Sequence, residues 1–265
     1  MSAILEGMAD HLLVDDAGGI RTLTLNRPEK RNPLSLALMQ DLCAALDETT
    51  GDPAVAVVVI RGNGPAFSAG HDLKEVRGAS VEAMRELFGV CSDLMMRIHR
   101  LPQPVIAAVD GIATAAGCQL VAACDLALAT DRSTFATPGV KIGLFCSTPM
   151  VETSRAVGRK RALEMLLTGD PIDAVTAAEW GLVNAVVPVH GLDDAVRALA
   201  GRLLRSSSQT LAIGKGAFSE QLDRPLPEAY AYALEVMAQN AVDRDAQEGI
   251  GAFLEKRAPV WHGRG

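Results

Sequence analysis

The sequence predicts an α/β fold in which parallel strands alternate with crossover helices, followed by a helical layer. The segment VAVVVIRG at 55–62 is an almost continuous β-branched run, which is typical of a strand buried on both faces. Similar runs return in PVIAAVD and DLALAT, with segments of helix length between them up to about residue 190. Residues 207–257 contain no comparable strand run, so we expect the C-terminal quarter to be helical.

The individual elements follow from local patterns. HLLVD and IRTLTLN alternate apolar and polar residues on either side of DAGG, which predicts a β-hairpin. SLALMQDLCAALDETT repeats its apolar residues at helical spacing and predicts an amphipathic helix. Three further helices are expected in SQTLAIGKGAFSEQL, EAYAYALEVMAQNAVDRD and AQEGIGAFLEKR. We therefore divide the chain into a core at 1–206 and a helical region at 207–265.

Composition restricts the classes of function. The 265 residues are 49% hydrophobic and carry a net charge of −7, which fits a globular protein and argues against a surface for nucleic acid. The most apolar stretch, residues 104–130, is interrupted by Asp110, Gln119 and Asp125, which argues against a membrane span. No spacing of residues indicates a metal ion or a redox cofactor.

The cysteines and the N-terminus bear on location. The five cysteines are an odd set without CxxC spacing, so we expect reduced thiols. The N-terminal segment MSAILEGMADHLLVDD has neither the basic and apolar regions of a secretory signal nor the arginine-rich character of a transit peptide. These patterns favour a cytoplasmic protein.

Two segments share a design that is suited to binding negative charge. In GPAFSAGHDLKE and in DGIATAAGCQL, a strand ends in small residues and the chain then begins a helix. Small residues allow a ligand to approach the backbone, and free N–H groups at a helix start attract an oxyanion. Two such loops that faced each other would hold a carbonyl oxygen as negative charge develops on it. The same small residues would also serve ordinary tight packing, so both interpretations stay open at this point.

Five sequence motifs, spread over almost the whole chain, carry a resemblance to a known family through their order and spacing. They are NRPEKRNPLS, FSAGHDLKE, DGIATAAGCQLVAACDLALAT, LTGDPIDAVTAAEWGLVNAVVP and DAQEGIGAFLEKRAPVW. Their order and spacing resemble those of the crotonase (enoyl-CoA hydratase/isomerase) superfamily. The resemblance implies a ClpP-like spiral of ββα units with a C-terminal helical trimerisation region, and a homotrimer or a hexamer made of two trimers.

The resemblance also implies a ligand and a site. The ligand is an acyl-CoA thioester, with CoA as part of the substrate and no separate cofactor. Its carbonyl oxygen would lie between the backbone amides of His71 and Ala116. The remaining substrate-binding residues fall into three groups. The thioester and pantetheine path would be lined by Ala69, Gly70, Asp72 and Leu73, with Ala115, Pro138, Gly139 and Leu144 as further substrate-binding residues. The CoA nucleotide would meet Lys30, Asn32 and Leu34, and CoA on an adjacent subunit would meet Phe253 and Lys256.

The chain departs from the family at the two glutamates that hydratases use to activate water and to move the α-proton. The first position is Gln119 and the second falls at Gly139. An amide can orient a water molecule but cannot take its proton, and glycine has no side chain. We therefore do not expect hydration by the two-carboxylate route, nor an isomerase that depends on the second carboxylate.

Other groups offer alternatives. The His71 ring has a pKa suited to proton transfer, or this residue contributes only its amide. The GHD arrangement also resembles methylmalonyl-CoA decarboxylase, although Cys146 stands where that relative has a tyrosine. Cys146 is a candidate nucleophile or a buried structural thiol. Ser147 and Thr148 would bind an acyl group or water, or cap the next helix, whereas Asp72 is expected to cap its own helix.

Two hypotheses of function remain after these observations. The first is an enzyme that stabilises a thioester enolate and performs isomerisation, hydration, decarboxylation or a related reaction. The second is a non-catalytic acyl-CoA binder that has lost its carboxylates. We expect the double substitution Gln119→Glu and Gly139→Glu to distinguish them, since only a pocket that lacks nothing except carboxylates would regain hydration.

Overall fold

The computed structural model describes residues 11–263 and contains two sheets. The first sheet has six strands in the order β1-β2-β3-β5-β7-β10, and the second has four in the order β4-β6-β8-β9. Only β1 in the first sheet and β9 in the second pair in the antiparallel direction. The strands are β1 Leu12–Ala17, β2 Ile20–Leu25, β3 Val57–Gly62, β4 Ala66–Ser68, β5 Val105–Val109, β6 Ile112–Thr114, β7 Leu126–Thr130, β8 Thr134–Ala136, β9 Ile172–Asp173 and β10 Ala185–Val187.

The helices follow the strands as the sequence predicted. The C-terminal segments form α9, α10 and α11, and no strand lies among the described residues after β10. The helices are α1 Leu36–Thr50, α2 Leu73–Val76, α3 Val81–Arg100, α4 Ala116–Ala123, α5 Pro149–Ala156, α6 Arg159–Thr168, α7 Ala174–Trp180, α8 Leu192–Leu204, α9 Ser208–Leu222, α10 Leu226–Val242 and α11 Arg244–Glu255. The proposed division at 206/207 remains a prediction, and its outer ends, residues 1–10 and 264–265, lie outside the described residues.

The predicted hairpin is confirmed by β1 and β2, which pair from Leu12 with Leu25 to Ala17 with Ile20. A repeated structural unit of strand, strand and helical chain then forms the pairs of strands from β3 to β8. A long strand joins the first sheet, a short strand directly after it joins the second sheet, and helical chain follows. This happens at β3 and β4, at β5 and β6, and at β7 and β8. The repetition stacks the short strands side by side, so their carboxyl ends meet at one edge of the second sheet.

The core lies on both faces of the first sheet, as its β-branched strands predicted. Val58 and Ile60 of β3 belong to the larger cluster, which α1, α3 and α4 cover. Val57 and Val59 of the same strand point the opposite way, into a smaller cluster that α8 covers. Side chains alternate along a strand, so a run without polar residues is stable only when both faces are covered.

One buried lysine fastens the helical layer to the core. Lys215 of α9 places its Nζ 2.6 Å from an Asp125 carboxylate oxygen. The same ammonium donates to the carbonyls of Ile98 at 2.8 Å and Gln103 at 3.0 Å. A buried ammonium has three donors to satisfy, and these three oxygens satisfy them. The contact fixes α9 against the end of α3 and the start of β7.

Candidate functional site

The two loops that the sequence analysis singled out lie against each other. They follow β4 and β6, which are parallel neighbours, so both loops leave the same edge of the second sheet. A β-carbon built on Gly70, whose φ is +85°, would lie 2.9 Å from the Ala115 β-carbon and 3.2 Å from the Ala116 nitrogen. Only glycine fits at this position, because any side chain would enter the second loop. The loops are therefore in direct backbone contact.

This contact brings together the two amides that were expected to bind an oxyanion. Ala116 is the first residue of α4, so its N–H has no carbonyl one helical turn earlier. In the described turns and loops, neither the Ala116 amide nor the His71 amide donates to another backbone carbonyl. The Leu34 amide donates to the Gly70 carbonyl at 2.8 Å and holds the first loop in place. Tight packing and two available donors thus coexist, and this geometry supports the predicted oxyanion hole.

A cavity of about 360 Å³ opens in front of the two loops. Most of its surface is apolar, and no Asp or Glu side chain occurs among its described lining residues. Nine of the predicted site residues line it, namely Ala69, His71, Leu73, Ala115, Ala116, Pro138, Gly139, Leu144 and Cys146. The remaining lining residues are Val76, Phe88, Lys141, Ile142, Phe145, Ser147, Thr148 and Pro149.

The His71 ring is the group in this cavity best suited to proton transfer. Its Nδ1 lies 3.4 Å from the Leu34 carbonyl oxygen, which can only accept, so we assign the ring hydrogen to Nδ1. Its Nε2 is buried and has no hydrogen-bond partner among the described residues. Phe88 of α3 packs against the ring with centroids 5.2 Å apart in an edge-on arrangement. Burial lowers the pKa of His71 below 6.5, against a smaller opposing effect of the Leu34 hydrogen bond, and keeps the ring neutral at pH 7.

The structure does not bring Gln119 to the cavity. Its side chain is 3% exposed, and its Oε1 lies 3.8 Å from the Cys91 sulfur of α3 as the acceptor of a weak hydrogen bond. This amide therefore faces the packing between α4 and α3. A role for Gln119 in orienting water has no geometric support here.

Gly139 lines the cavity, but its missing side chain does not leave a vacancy. A β-carbon at this position would lie 2.0 Å from the Leu144 carbonyl oxygen and 2.9 Å from the Cys146 sulfur. The Leu144 amide donates back to the Gly139 carbonyl at 3.0 Å and closes the segment on itself. The double substitution that we expected to distinguish the two hypotheses is therefore unsuitable, because a glutamate does not fit at 139.

Cys146 shows the properties of a buried thiol. It is 6% exposed, and burial raises the pKa of its thiol, against a smaller effect of the Gly139 backbone. A thiol nucleophile needs a lowered pKa and a base beside it. The burial and the raised pKa favour the structural interpretation of Cys146.

Three polar residues near the cavity have local partners. Asp72 caps α2 by accepting from the Lys74 amide at 3.1 Å, as expected, and also lies 3.7 Å from Arg27. Thr148 precedes α5 without a capping hydrogen bond, and the Ser147 hydroxyl lies 3.5 Å from the Phe145 carbonyl. The alternative that Ser147 or Thr148 caps α5 is therefore wrong. Both residues remain part of the cavity wall.

The residues expected to meet CoA are spread over different surroundings. Asn32 is fully buried; its side chain accepts from the Arg27 amide and donates to the Asn63 and Ala66 carbonyls. Leu34 is also fully buried, and Lys30 is exposed. Asn32 and Leu34 thus shape the loop rather than offer free side chains, and a contact with CoA would have to use their backbone.

The two expected tail residues lie outside the cavity lining. Phe253 is 82% exposed on α11, and the exposed Lys256 ends that helix with a φ of +56°. Both are free to meet a neighbouring molecule.

Sequence reasoning missed Phe88 and Lys141. Phe88 belongs to α3, which carries none of the quoted motifs, and helical periodicity alone cannot show that a residue reaches a distant loop. Lys141 lies in the segment FATPGVKIGLFCSTP, which also contains Pro138, Gly139 and Cys146, and its ammonium is 2.6 Å from Asp170. The signal for Lys141 was present, but its ion pair could not be read from the sequence.

Comparisons with known proteins agree with this geometry. A family model described as enoyl-CoA hydratase/isomerase matches residues 15–264. The chain is 49% identical over 250 residues to the zebrafish protein named "Enoyl-CoA hydratase domain-containing protein 3, mitochondrial", covering 94% of this chain and 86% of that protein. The human protein of the same name is 48% identical over 246 residues, covering 92% and 80%.

Solved structures show the same likeness. A structure described as enoyl-CoA hydratase from Mycobacterium smegmatis superposes with a TM-score of 0.93 at 50% identity, covering 95% of this chain and 99% of that one. The human domain-containing protein 3 superposes with a TM-score of 0.92 at 46% identity, covering 95% and 100%. These matches confirm the expected spiral fold. The segments GHDLKE, AAGCQL and FATPGVKIGLFCSTP predict a likeness to domain-containing protein 3 and its bacterial relatives, and the whole-chain matches confirm that likeness.

The comparisons contradict one expectation. We expected a cytoplasmic location, but the zebrafish, rat and human relatives are named mitochondrial. The inference failed because all five cysteines are free, and free thiols do not distinguish one reducing compartment from another. The N-terminal segment also used for it lies partly within residues 1–10, outside the described residues. Among residues 11–263, no helix has both the length and the apolar character of a membrane span.

Proposed function

Since this chain belongs to the enoyl-CoA hydratase/isomerase (crotonase) family, we propose that it binds an acyl-CoA thioester and catalyses a reaction through the thioester enolate. The observation that carries the proposal is the contact between the two loops, which presents two backbone amides at one end of an apolar cavity. Preorganised amides in such surroundings stabilise negative charge on a carbonyl oxygen strongly. The start of α4 adds the positive end of a helix dipole.

The His71 ring and the two backbone amides have separate tasks in the proposed proton transfer. The α-carbon of the acyl group loses its proton to His71 Nε2, and the electron pair of that C–H bond forms the enolate double bond. The thioester oxygen then carries the negative charge and accepts hydrogen bonds from the amides of His71 and Ala116. His71 supports this assignment because it lines the cavity, its Nε2 has no partner in the described part of the chain, and its ring is neutral at pH 7. Two other groups of the cavity wall are less suitable as the base. The Lys141 ammonium forms an ion pair with Asp170, and burial raises the pKa of the Cys146 thiol.

Two-carboxylate hydration has no support in this cavity. The described lining contains no Asp or Glu side chain, the Gln119 amide faces α3, and the space beside Gly139 is filled. The reaction classes left by this set of groups are α-proton exchange, isomerisation and decarboxylation.

A second candidate is a non-catalytic acyl-CoA binder. The observation that favours it is the same lack of carboxylates, combined with an apolar cavity that suits an acyl chain. The binder and the enzyme share the two amides and differ only in what happens to the bound thioester.

We also propose a homotrimer, alone or paired into a hexamer. The support is a row of exposed apolar side chains along α10, where Tyr230 is 71%, Leu234 66% and Met237 76% exposed. Exposed apolar patches of this kind are typical of protein interfaces. Light scattering coupled to size-exclusion chromatography tests this assignment, and a monomer would overturn it.

The function is tested by mass spectrometry of the protein in deuterated water with enoyl-, saturated and malonyl-type CoA thioesters. Deuterium uptake without added water supports enolisation, and loss of carbon dioxide supports decarboxylation. Addition of water would overturn the exclusion of hydration. Tight binding with every thioester returned unchanged would establish the binder. The His71→Ala variant is the matched control, since it keeps the amide and removes the ring.

A further inference from the structure

Ala115 has a backbone conformation that alanine rarely adopts. Its φ is +51° and its ψ is −119°, whereas Arg31 and Lys256 have positive φ in the ordinary left-handed helical region. Glycine reaches the Ala115 conformation without cost, but a β-carbon makes it unfavourable. Strained residues persist only where the surrounding structure holds them, and they cluster at functional sites.

The structure holds Ala115 from both sides. Its amide donates to the Ala136 carbonyl of β8 at 2.9 Å, and its carbonyl accepts from the Gln119 amide of α4 at 3.0 Å. Residue 115 therefore joins the end of a strand to the first turn of a helix and has no freedom to relax. The next peptide unit contains the Ala116 N–H, whose direction is consequently set by the unusual ψ.

The methyl group of Ala115 has a definite neighbour. It lies where Gly70 turns, so close that a β-carbon on Gly70 would be 2.9 Å away from it. Gly70 directly precedes His71, which supplies the other amide. The methyl thus stands between the loop of the first amide and the loop of the second, and an alanine fills this contact where a glycine would leave a gap.

We infer that Ala115 is a positioning residue: its backbone aims the Ala116 amide, and its methyl sets the separation between the two loops. This inference rests on the proposed oxyanion hole and extends it. Without the Ala115 methyl, the two loops would keep their hydrogen bonds, but they would move closer together or slide past each other by about the width of that methyl. Small displacements of preorganised donors have large effects on the polarisation of a bound carbonyl.

The test measures carbonyl polarisation, which does not require turnover. Octanoyl-CoA labelled with ¹³C at the thioester carbonyl is bound to the full-length protein, and the change in its carbonyl chemical shift on binding is recorded for each variant. For Ala115→Gly we expect the change to fall to roughly half or less. The affinity for the thioester should change by less than about threefold, since most of the binding surface is untouched. Ala115→Ser retains the β-carbon and should retain the change.

Ala113→Gly is the matched control, because it removes a buried methyl two residues earlier, in β6, at a position without a positive φ. Thermal unfolding verifies that each variant is folded. A full shift change in Ala115→Gly would overturn the inference while leaving the oxyanion hole in place. An equal loss in Ala115→Ser, or in Ala113→Gly, would overturn it as well. Absence of any change in the unmodified protein would instead show that the proposed hole itself is wrong.

Discussion

Small residues on two sides of the cavity have opposite effects. At Gly70 and Ala115 they let two loops touch, and the two amides there remain free of backbone partners in the described loops. At Gly139 the space of the absent side chain is occupied by the Leu144 carbonyl of the same segment. One side is open for a ligand and the other is closed on itself. The difference shows that the atoms around a small residue, rather than its size, decide whether it makes a binding site.

The same comparison divides the cavity into two sides that differ in backbone geometry. The side that would stabilise charge on the thioester oxygen has suitable geometry. At Gly139, where the family resemblance would place the second carboxylate, no side chain fits. A glutamate at 139 would therefore require a different course of the segment 139–146.

The largest effect is expected from Gly139→Glu. The new β-carbon would lie 2.0 Å from the Leu144 carbonyl oxygen, so the backbone must move. We expect a loss of about 3 kcal/mol in the free energy of unfolding, measured by urea denaturation. Gly89→Glu is the control, because an added β-carbon meets nothing within 4 Å there and glutamate favours a helix more than glycine does. If the double variant Gln119→Glu and Gly139→Glu were stable and hydrated enoyl-CoA, the description of the Gly139 side as closed would be wrong.

The open side is tested next by His71→Ala, which keeps one amide and removes the ring. If the ring moves the α-proton, deuterium exchange should fall by about 100-fold, which corresponds to about 2.7 kcal/mol. The unmodified protein should exchange at a constant rate above pH 6.5 and more slowly as the pH falls through the lowered pKa of His71, since the protonated ring cannot accept a proton. The variant should lack this acidic limb. An unchanged rate would show that only the backbone amide of His71, and not its ring, takes part in the reaction.

The same pKa shift affects stability. Burial lowers the pKa of His71 in the folded state, so below pH 6.5 the unfolded chain binds more protons than the folded protein at this site. The free energy of unfolding should therefore decrease as the pH drops below 6.5, and His71→Ala should show a shallower decrease. Urea denaturation at pH 5 to 7 measures both slopes, and parallel slopes would contradict the burial of the ring.

A somewhat smaller effect is expected from Gly70→Ala. The substitution forces alanine to a φ of +85° and brings its methyl within 2.9 Å of the Ala115 methyl and the Thr114 carbonyl oxygen. We expect a loss of about 2 kcal/mol. Adding Ala115→Gly removes one of the two clashes, so the double variant should recover at least about 0.5 kcal/mol. Strict additivity of the two changes would mean that the loops do not touch as described.

The sequence predicted the elements that periodicity controls and missed those that depend on local contacts. The hairpin, the parallel strands and the three C-terminal helices were correct, because apolar alternation and β-branched runs determine which faces are buried. The nine predicted residues in the cavity were implied by the resemblance to the family. The orientation of Gln119 toward Cys91 could not be predicted, because it depends on how α4 packs against α3, a contact between residues far apart in the chain.

Gly139 illustrates a second limit of the sequence. A glycine in a sequence shows that no side chain is present, but it does not show what fills the position. The closure by Leu144 depends on the path of the chain between β8 and α5, which has no periodic pattern. The double substitution that was expected to distinguish the enzyme from the binder is unsuitable for this reason.

The smallest effect is expected from Cys146→Ala. This substitution tests whether Cys146 only lines the cavity or takes part in the reaction. Burial raises the pKa of the Cys146 thiol, so little thiolate exists near pH 7. The substitution should change deuterium exchange by less than about threefold and lower the free energy of unfolding by about 1 kcal/mol through lost packing. Iodoacetamide should likewise alkylate Cys146 more slowly than it alkylates free cysteine at pH 8. A loss of exchange comparable to that of His71→Ala, with rapid alkylation, would place the chemistry on the closed side of the cavity and reverse the comparison.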